Sequence, residues 1–75
     1  QSAAIAVQDA ADALRNVSTI ATTAAGVAMA QYLATGDEKY ARVLTQTQTM
    51  MQGATEDFTR VGSAAANVLK GFPAK

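Results

Sequence analysis

The chain has 75 residues, 49% of them hydrophobic, and its 6 basic and 6 acidic residues give a formal net charge of zero. A neutral chain of this size offers no electrostatic basis for binding nucleic acid or an anionic membrane. The absence of Cys and His excludes disulfides and cysteine-based metal frameworks, and it removes the commonest general base and metal ligand.

The first predicted helix covers residues 2–34. Its apolar residues recur with a seven-residue period, which is the signature of a left-handed helical bundle or coiled coil. Residues 16–36 carry no charge, but Ser, Thr and Gln interrupt the run, so we expect a soluble helix rather than a transmembrane one. Heptad position a holds Val7, Leu14, Ala21 and Ala28, and position d holds Ala3, Ala10, Val17, Ala24 and Gln31.

A tight turn is predicted at residues 35–37. Gly36 suits the left-handed conformation that commonly closes a helix, and Asp37 suits the N-cap of the helix that follows. Asp37 and Glu38 also place negative charge at the positive end of that helix. We therefore predict that residues 1–75 form one module, a helical hairpin that folds back on itself at Gly36.

The second predicted helix covers residues 37–70 and carries the same heptad pattern. Gly71 ends it ahead of a proline, so residues 71–75 form a predicted C-terminal tail. Position a holds Leu44, Met51, Phe58 and Ala65, and position d holds Tyr40, Thr47, Ala54, Val61 and Val68. Two i,i+4 ion pairs are expected to add about 0.2–0.5 kcal/mol each, namely Glu38–Arg42 and Glu56–Arg60.

The two repeats fit each other when the chain folds at Gly36. Residues whose numbers sum to about 72 then lie level with each other, so position a meets a and position d meets d. Leu14 faces Phe58 and Ala21 faces Met51, and this meeting of small and large side chains lets the layers interdigitate. The predicted fold is all-α, an antiparallel two-helix hairpin that assembles into a four-helix bundle or a larger helical assembly.

The hairpin has two unlike sides. One side is formed by the g positions of both helices and shows an apolar stripe, which we call the apolar flank; its residues are Ile20, Val27, Val43 and Met50. The other side is formed by the e positions and includes Ser18, Tyr32, Gln48 and Thr55, and we call it the polar flank. An uncovered apolar stripe marks a partner surface, so the apolar flank is predicted to mediate self-association.

No set of residues predicts a reaction, and we expect no enzyme activity, no catalytic residue, no metal site and no cofactor. The carboxylate pairs Asp9/Asp12 and Glu56/Asp57 have the spacing of ordinary helix surface, without His or Cys to complete a metal site. Residues 45–49 alternate Thr and Gln. They form either a solvated stretch with Thr47 buried and bonded to its own backbone, or a polar lining for a small ligand.

The segment QYLATGDEKY at residues 31–40 resembles a pattern of bacterial extracytoplasmic sensor domains. In the helical-bundle input domains of methyl-accepting chemotaxis proteins and sensor histidine kinases, Tyr-Leu-x-Thr-Gly-Asp-x-x-Tyr often ends one helix and begins the next. The resemblance implies dimerisation, signalling by small helix displacements, a small-molecule ligand, and membrane anchors outside these residues. It assigns no ligand-binding residue, because the arginine clamps of that family have no counterpart among Arg15, Arg42 and Arg60.

Two functions are therefore expected from the sequence. The first is a non-enzymatic signal-input module of a bacterial receptor, periplasmic or on the cell surface, which dimerises as a four-helix bundle. The alternative is a structural subunit of a secreted or pilus-like filament, built from self-associating hairpins. Flanking membrane segments and a downstream signalling domain in the gene favour the first.

Overall fold

The computed structural model describes residues 2–71, which form two α-helices, α1 (Ala3–Thr35) and α2 (Glu38–Lys70). The helices pack against each other along their length as a hairpin. This confirms the predicted all-α fold, and each predicted helix begins or ends within one residue of its observed boundary. Of the predicted tail, residues 72–75 lie outside the described residues.

The first helix begins with a side-chain cap. Ser2 has extended backbone angles, and its hydroxyl oxygen accepts a hydrogen bond from the backbone N–H of Ile5 at 3.1 Å. This bond satisfies one of the free N–H groups that every helix leaves at its start. At the far end of the hairpin, Gly71 closes α2 in the right-handed conformation, and its N–H donates to the carbonyl oxygens of Asn67 and Val68.

The turn between the helices consists of Gly36 and Asp37. Gly36 has a φ of 69°, in the left-handed region that glycine adopts without steric cost, and its N–H donates to the carbonyl of Tyr32 at 2.8 Å. The Asp37 N–H donates to the Thr35 hydroxyl at 3.1 Å, while the Asp37 carboxylate accepts from the Lys39 N–H at 3.0 Å. Side chains and backbone together therefore satisfy the groups exposed where the chain reverses.

The turn is also bridged from helix to helix. The Tyr32 hydroxyl donates to the Glu38 carboxylate at 3.2 Å, which joins the last turn of α1 to the first residue of α2. The Lys39 ammonium lies 3.8 Å from the Asp37 carboxylate and 5.1 Å from the centre of the Tyr40 ring. Polar and aromatic side chains of residues 32–40 thus stabilise the turn.

The core lies along the predicted a and d positions. The four buried residues of the described part of the chain all lie at these positions, and the bulkier side chains there, such as Leu14 and Phe58, are half-buried. Two d positions at the ends of the helices, Gln31 and Val68, are exposed. The enclosed residues are Ala21, Ala28, Thr47 and Ala65.

The register agrees with the sequence pattern. Leu14 and Phe58 line one groove between the helices, and Ala21 and Met51 line the next. Thr47, only 6% exposed, donates its hydroxyl to the carbonyl of Leu44 at 2.7 Å. This confirms that Thr47 is buried and bonded to its own helix. The alternative, a polar lining for a small ligand, stays a prediction.

Neither predicted i,i+4 ion pair is formed. Arg60 pairs with Asp57 at 3.0 Å rather than with Glu56, and Glu38 accepts its bond from Tyr32. Asp12 and Arg15 form the same i,i+3 pair at 3.1 Å. The prediction was wrong because helical spacing brings both i+3 and i+4 partners within reach, and side-chain rotamers decide between them.

The hairpin is a thin rod of 63 × 16 × 14 Å. Its radius of gyration is 17.6 Å, compared with about 11 Å for a compact domain of this length. The accessible surface is 5516 Å², whereas a compact monomer of this mass exposes about 4,300 Å². The chain therefore leaves about 1,200 Å² more surface in water than a compact protein of the same size.

Candidate self-association surface

The apolar flank lies along one side of the rod, in its turn-proximal half. Ile20 is 58% exposed, Val27 61% and Met50 43%, while Val43 is half-buried against the groove between the helices. Branched and sulfur-containing side chains of this size stabilise a protein when they leave water, by about 1.5–3 kcal/mol each when fully buried. The structure thus brings the four predicted residues to one side of the hairpin and leaves three of them in water.

The same side continues as a groove of small residues towards the open end of the rod. The groove has a volume of about 370 Å³, and Ala3, Ala6, Ala64 and Val68 are among the residues that line it. Ala13, at the g position between this groove and Ile20, is exposed. The flank therefore has a bulky section near the turn and a shallow alanine section near the chain ends.

The polar flank is more closed. The e positions of α1 are half-buried from Ala11 to Tyr32, whereas the g positions of α1 from Ala13 to Ala34 are exposed. Two open grooves run along the polar flank, one beside Ser18 and Thr22 and the other beside Gln48. On α1 the hairpin therefore covers the polar flank more than the apolar one, whereas on α2 the e residues Gln48, Thr55 and Leu69 are exposed.

A section of the rod carries no charge on any face. Residues 17–29 of α1 and residues 43–55 of α2 lie level with each other and contain no Asp, Glu, Lys or Arg; we call this section the charge-free band. At 1.5 Å per residue it is about 20 Å long. Several of its threonine hydroxyls donate to carbonyls of their own helix, namely those of Thr19, Thr45, Thr47 and Thr49.

Asp12 and Asp57, one from each candidate metal-binding pair, are bound to other side chains. Asp12 accepts hydrogen bonds from Arg15 and from the Gln8 amide, both at 3.1 Å, and Asp57 pairs with Arg60. Among residues 2–71, no three acidic side chains come together as a metal site would require. Every buried polar side-chain atom in this part of the chain has a hydrogen-bond partner. Arg42 is exposed, as the heptad pattern predicts.

Two features of the surface were missed by reasoning from the sequence. Gly53 lies beside Met50 on the apolar flank, and a Cβ built on it would meet nothing within 4 Å. A glycine inside a helix costs about 0.5–1 kcal/mol relative to alanine. Gly26 and Gly62 are equally open, so the surroundings within the chain do not distinguish Gly53 from them. Large apolar side chains are also exposed on the outer face, where the heptad pattern places solvent; these are Ile5, Met29 and Leu33. Leu69 is exposed as well, at an e position of the polar flank.

Neither helix within residues 2–71 contains a stretch both long and apolar enough to span a bilayer. No protein-family model, curated protein or solved structure matches the chain.

Proposed function

We propose that the chain is a non-enzymatic signal-input module of a bacterial receptor, located outside the cytoplasm, in which two hairpins associate as a four-helix bundle. The observation that carries this proposal is the exposed apolar flank on a straight two-helix rod. Because the two helices are joined at one end only, one helix can shift along the rod axis relative to the other. A second hairpin packed alongside provides a surface relative to which this shift occurs. The turn segment, which resembles sensor domains, adds support.

The proposal assigns no chemistry to any side chain. Its acidic and basic residues lie on the surface and several pair with one another, which suits a solvated exterior. A small ligand bound in the grooves of the polar flank, beside Ser18 or Gln48, would contact both helices at once. Such contact is what a ligand needs in order to favour one relative position of α1 and α2 over another.

A chimeric receptor tests the proposal. The chain replaces the extracytoplasmic domain of a sensor histidine kinase, between its two membrane helices, and output is measured as expression of a reporter gene. Inserting one to three residues at one junction rotates the helix entering the membrane by about 100° per residue. We expect output to vary with the number inserted and to recover near a full turn. Output that is independent of the insertions contradicts the proposal.

The alternative, a filament subunit, has one observation in its favour. Ile5, Met29, Leu33 and Leu69 are exposed apolar side chains that lie outside the apolar flank. A closed dimer through that flank leaves them in water, whereas head-to-tail contacts that do not close would cover them and produce fibres. Electron micrographs of the purified chain distinguish the two, because fibres favour the filament and their absence at high micromolar concentration favours the receptor module.

A further inference from the structure

We propose that the groove beside Gln48, on the polar flank, binds an uncharged saccharide. We call it the amide groove; it has a volume of about 530 Å³, and residues of both helices line it. This inference rests on the ligand-binding role in the proposed function, and it adds the groove, the side chains that bind and the chemical class of the ligand. It depends on the division of the groove into floor and rim, on its unused hydrogen-bonding groups and on its lack of charge.

The amide groove has a largely apolar floor and a polar rim. Its floor consists of buried or half-buried residues, namely Ala21, Ala25, Thr47 and Met51. The Thr47 hydroxyl is already bonded within its own helix. The rim consists of three exposed polar residues, which are Thr22 of α1 and Gln48 and Gln52 of α2. A ligand that fits this groove presents carbon–hydrogen surface on one face and polar groups around its edge.

The three rim residues are placed around one point. Gln48 and Gln52 are four residues apart, so they follow each other on one side of α2, about 6 Å apart along its axis. Thr22 lies level with residue 50, midway between the two glutamines, on the wall that α1 forms. A ring-shaped molecule held between the walls therefore has two amides on one side and a hydroxyl on the other.

The rim side chains have hydrogen-bonding groups to spare. Thr22, Gln48 and Gln52 form no hydrogen bond with any other described residue. By contrast, the hydroxyls of Thr45 and Thr49 each donate to a carbonyl of their own helix. An amide offers both N–H donors and a carbonyl acceptor, and a hydroxyl also acts in both ways. The rim therefore suits a ligand whose polar groups both donate and accept.

No charged residue lines the amide groove, which lies within the charge-free band. The neighbouring groove differs, because Arg15 lines it. An ionised ligand would lose part of its hydration in the amide groove without meeting an opposite charge. Carboxylates only accept hydrogen bonds and ammonium groups only donate them, so neither uses the rim fully. A sugar ring is uncharged, carries hydroxyls around its edge and has carbon–hydrogen faces, so it meets all these conditions.

The position of the amide groove agrees with the proposed assembly. Association through the apolar flank covers the opposite side of the hairpin, so a saccharide reaches the groove without displacing the second copy. Because the rim comes from both helices, a bound saccharide favours the relative position of α1 and α2 in which Thr22 lies between the two glutamines.

Titration followed by nuclear magnetic resonance tests the ligand class. The probes are glucose, galactose and maltose, compared with two charged sugars, glucuronate and protonated glucosamine. We expect the neutral sugars to shift the side-chain amide signals of Gln48 and Gln52 with millimolar dissociation constants, because an open groove leaves part of the ligand in water. The charged sugars should bind at least about fivefold more weakly.

A matched pair of substitutions tests the residues. Gln48→Ala removes a rim amide, whereas Gln46→Ala removes the other glutamine of residues 45–49, which does not line the groove. Both positions are exposed and alanine favours the helix, so both variants should fold. We expect the dissociation constant to rise at least about fivefold for Gln48→Ala and less than about twofold for Gln46→Ala. Thr22→Val, on α1, should also weaken binding, because the site spans both helices.

The outcomes separate this inference from the proposed function. Shifts confined to the amide groove, together with the selective effect of Gln48→Ala, support the saccharide site. It is overturned if none of the neutral sugars shifts these signals up to about 0.1 M, if the charged sugars bind equally well, or if shifts spread over the whole surface. Equal effects of the two glutamine substitutions, or undiminished binding to Thr22→Val, also overturn it.

The chimeric receptor provides an independent readout. A saccharide that binds the amide groove while the insertions leave reporter output unchanged upholds the site and contradicts only the sensory function. Output that varies with the insertions while no neutral sugar binds upholds the sensory function and overturns the saccharide site.

Discussion

The conformation of Gly36 determines whether this chain is a hairpin, and it can be tested with one substitution made at two places. Gly36 has a φ of 69°, and a Cβ added there would meet nothing within 4 Å. The cost of Gly36→Ala is therefore the backbone cost of an L-residue in the left-handed region, about 1–2 kcal/mol. Gly26, in the middle of α1, also has nothing within 4 Å of an added Cβ, but its φ is negative. Gly26→Ala should stabilise by about 0.5–1 kcal/mol.

The same chemical change is thus expected to have opposite signs at the two positions. The measurement is urea unfolding followed by circular dichroism at one fixed protein concentration, because association contributes to apparent stability. Thermal melts should show the same order, with about 4–8 °C for each kcal/mol in a domain of this size. Gly36→Val should cost more than Gly36→Ala, since a β-branched residue is a strong outlier at positive φ. Gly36→Asn should cost least, because Asn tolerates that region.

Asp37→Ala completes the series. It removes the side chain that accepts from the Lys39 N–H, a cap worth about 1 kcal/mol, and a favourable charge at the start of α2. Gly36→Val should therefore cost more than Asp37→Ala. The competing structure is one continuous helix through residue 36, with pairing only between chains. It predicts that Gly36→Val and Gly36→Ala both stabilise, as Gly26→Ala does, because each replaces glycine with a better helix former. That result would refute the hairpin and its register.

Three further predictions concern the core and the surface. Phe58→Ala should destabilise the hairpin by about 1.5–3 kcal/mol, which is less than for a fully buried Phe because Phe58 is half-buried. A melting temperature that hardly changes would indicate that the core lies on another face of the helices. Thr47→Val should stabilise the hairpin by about 0.5–1 kcal/mol, because the lost hydroxyl bonds only to the Leu44 carbonyl. Thr45→Val, on the exposed face, should leave the unfolding free energy nearly unchanged. Equal effects of the two substitutions would contradict the burial of Thr47. Asp12→Asn should change the unfolding free energy by less than about 0.5 kcal/mol, because the ion pair between Asp12 and Arg15 is exposed to solvent. A larger loss of stability would indicate a structural role for that ion pair.

The helices and the turn could be predicted from the sequence because each depends on local rules. The heptad positions identify the enclosed residues Ala21, Ala28, Thr47 and Ala65, and the left-handed turn follows from Gly36 ahead of a good N-cap. The partner of Arg60 could not be predicted, because Glu56 and Asp57 are both within helical reach and the choice depends on rotamers. Gln31 is exposed although it lies at a d position, because it lies close to the turn. The heptad repeat alone does not predict this exposure.

The residues of the candidate surface could be predicted from the sequence, but the exposure of each one could not. Periodicity places Ile20, Val27, Val43 and Met50 on one side, yet it does not say how far the helices close over them. In the structure α1 half-buries its e positions from Ala11 to Tyr32 and exposes its g positions from Ala13 to Ala34, while Val43 of α2 is half-buried. The degree to which one helix covers the other is a property of the packed pair, which the heptad pattern does not contain.

The composition of the core links folding to association. Alanine is the best helix former but buries little area, and the enclosed residues of the hairpin are three alanines and one threonine. The larger side chains are half-buried in the groove or lie on the apolar flank, where a second copy would complete their burial. If two hairpins associate as proposed, burial of these side chains adds the free energy of association to the stability of the hairpin. Substitutions on the flank should therefore lower the melting temperature as well as the affinity, and both effects should diminish as the protein concentration rises.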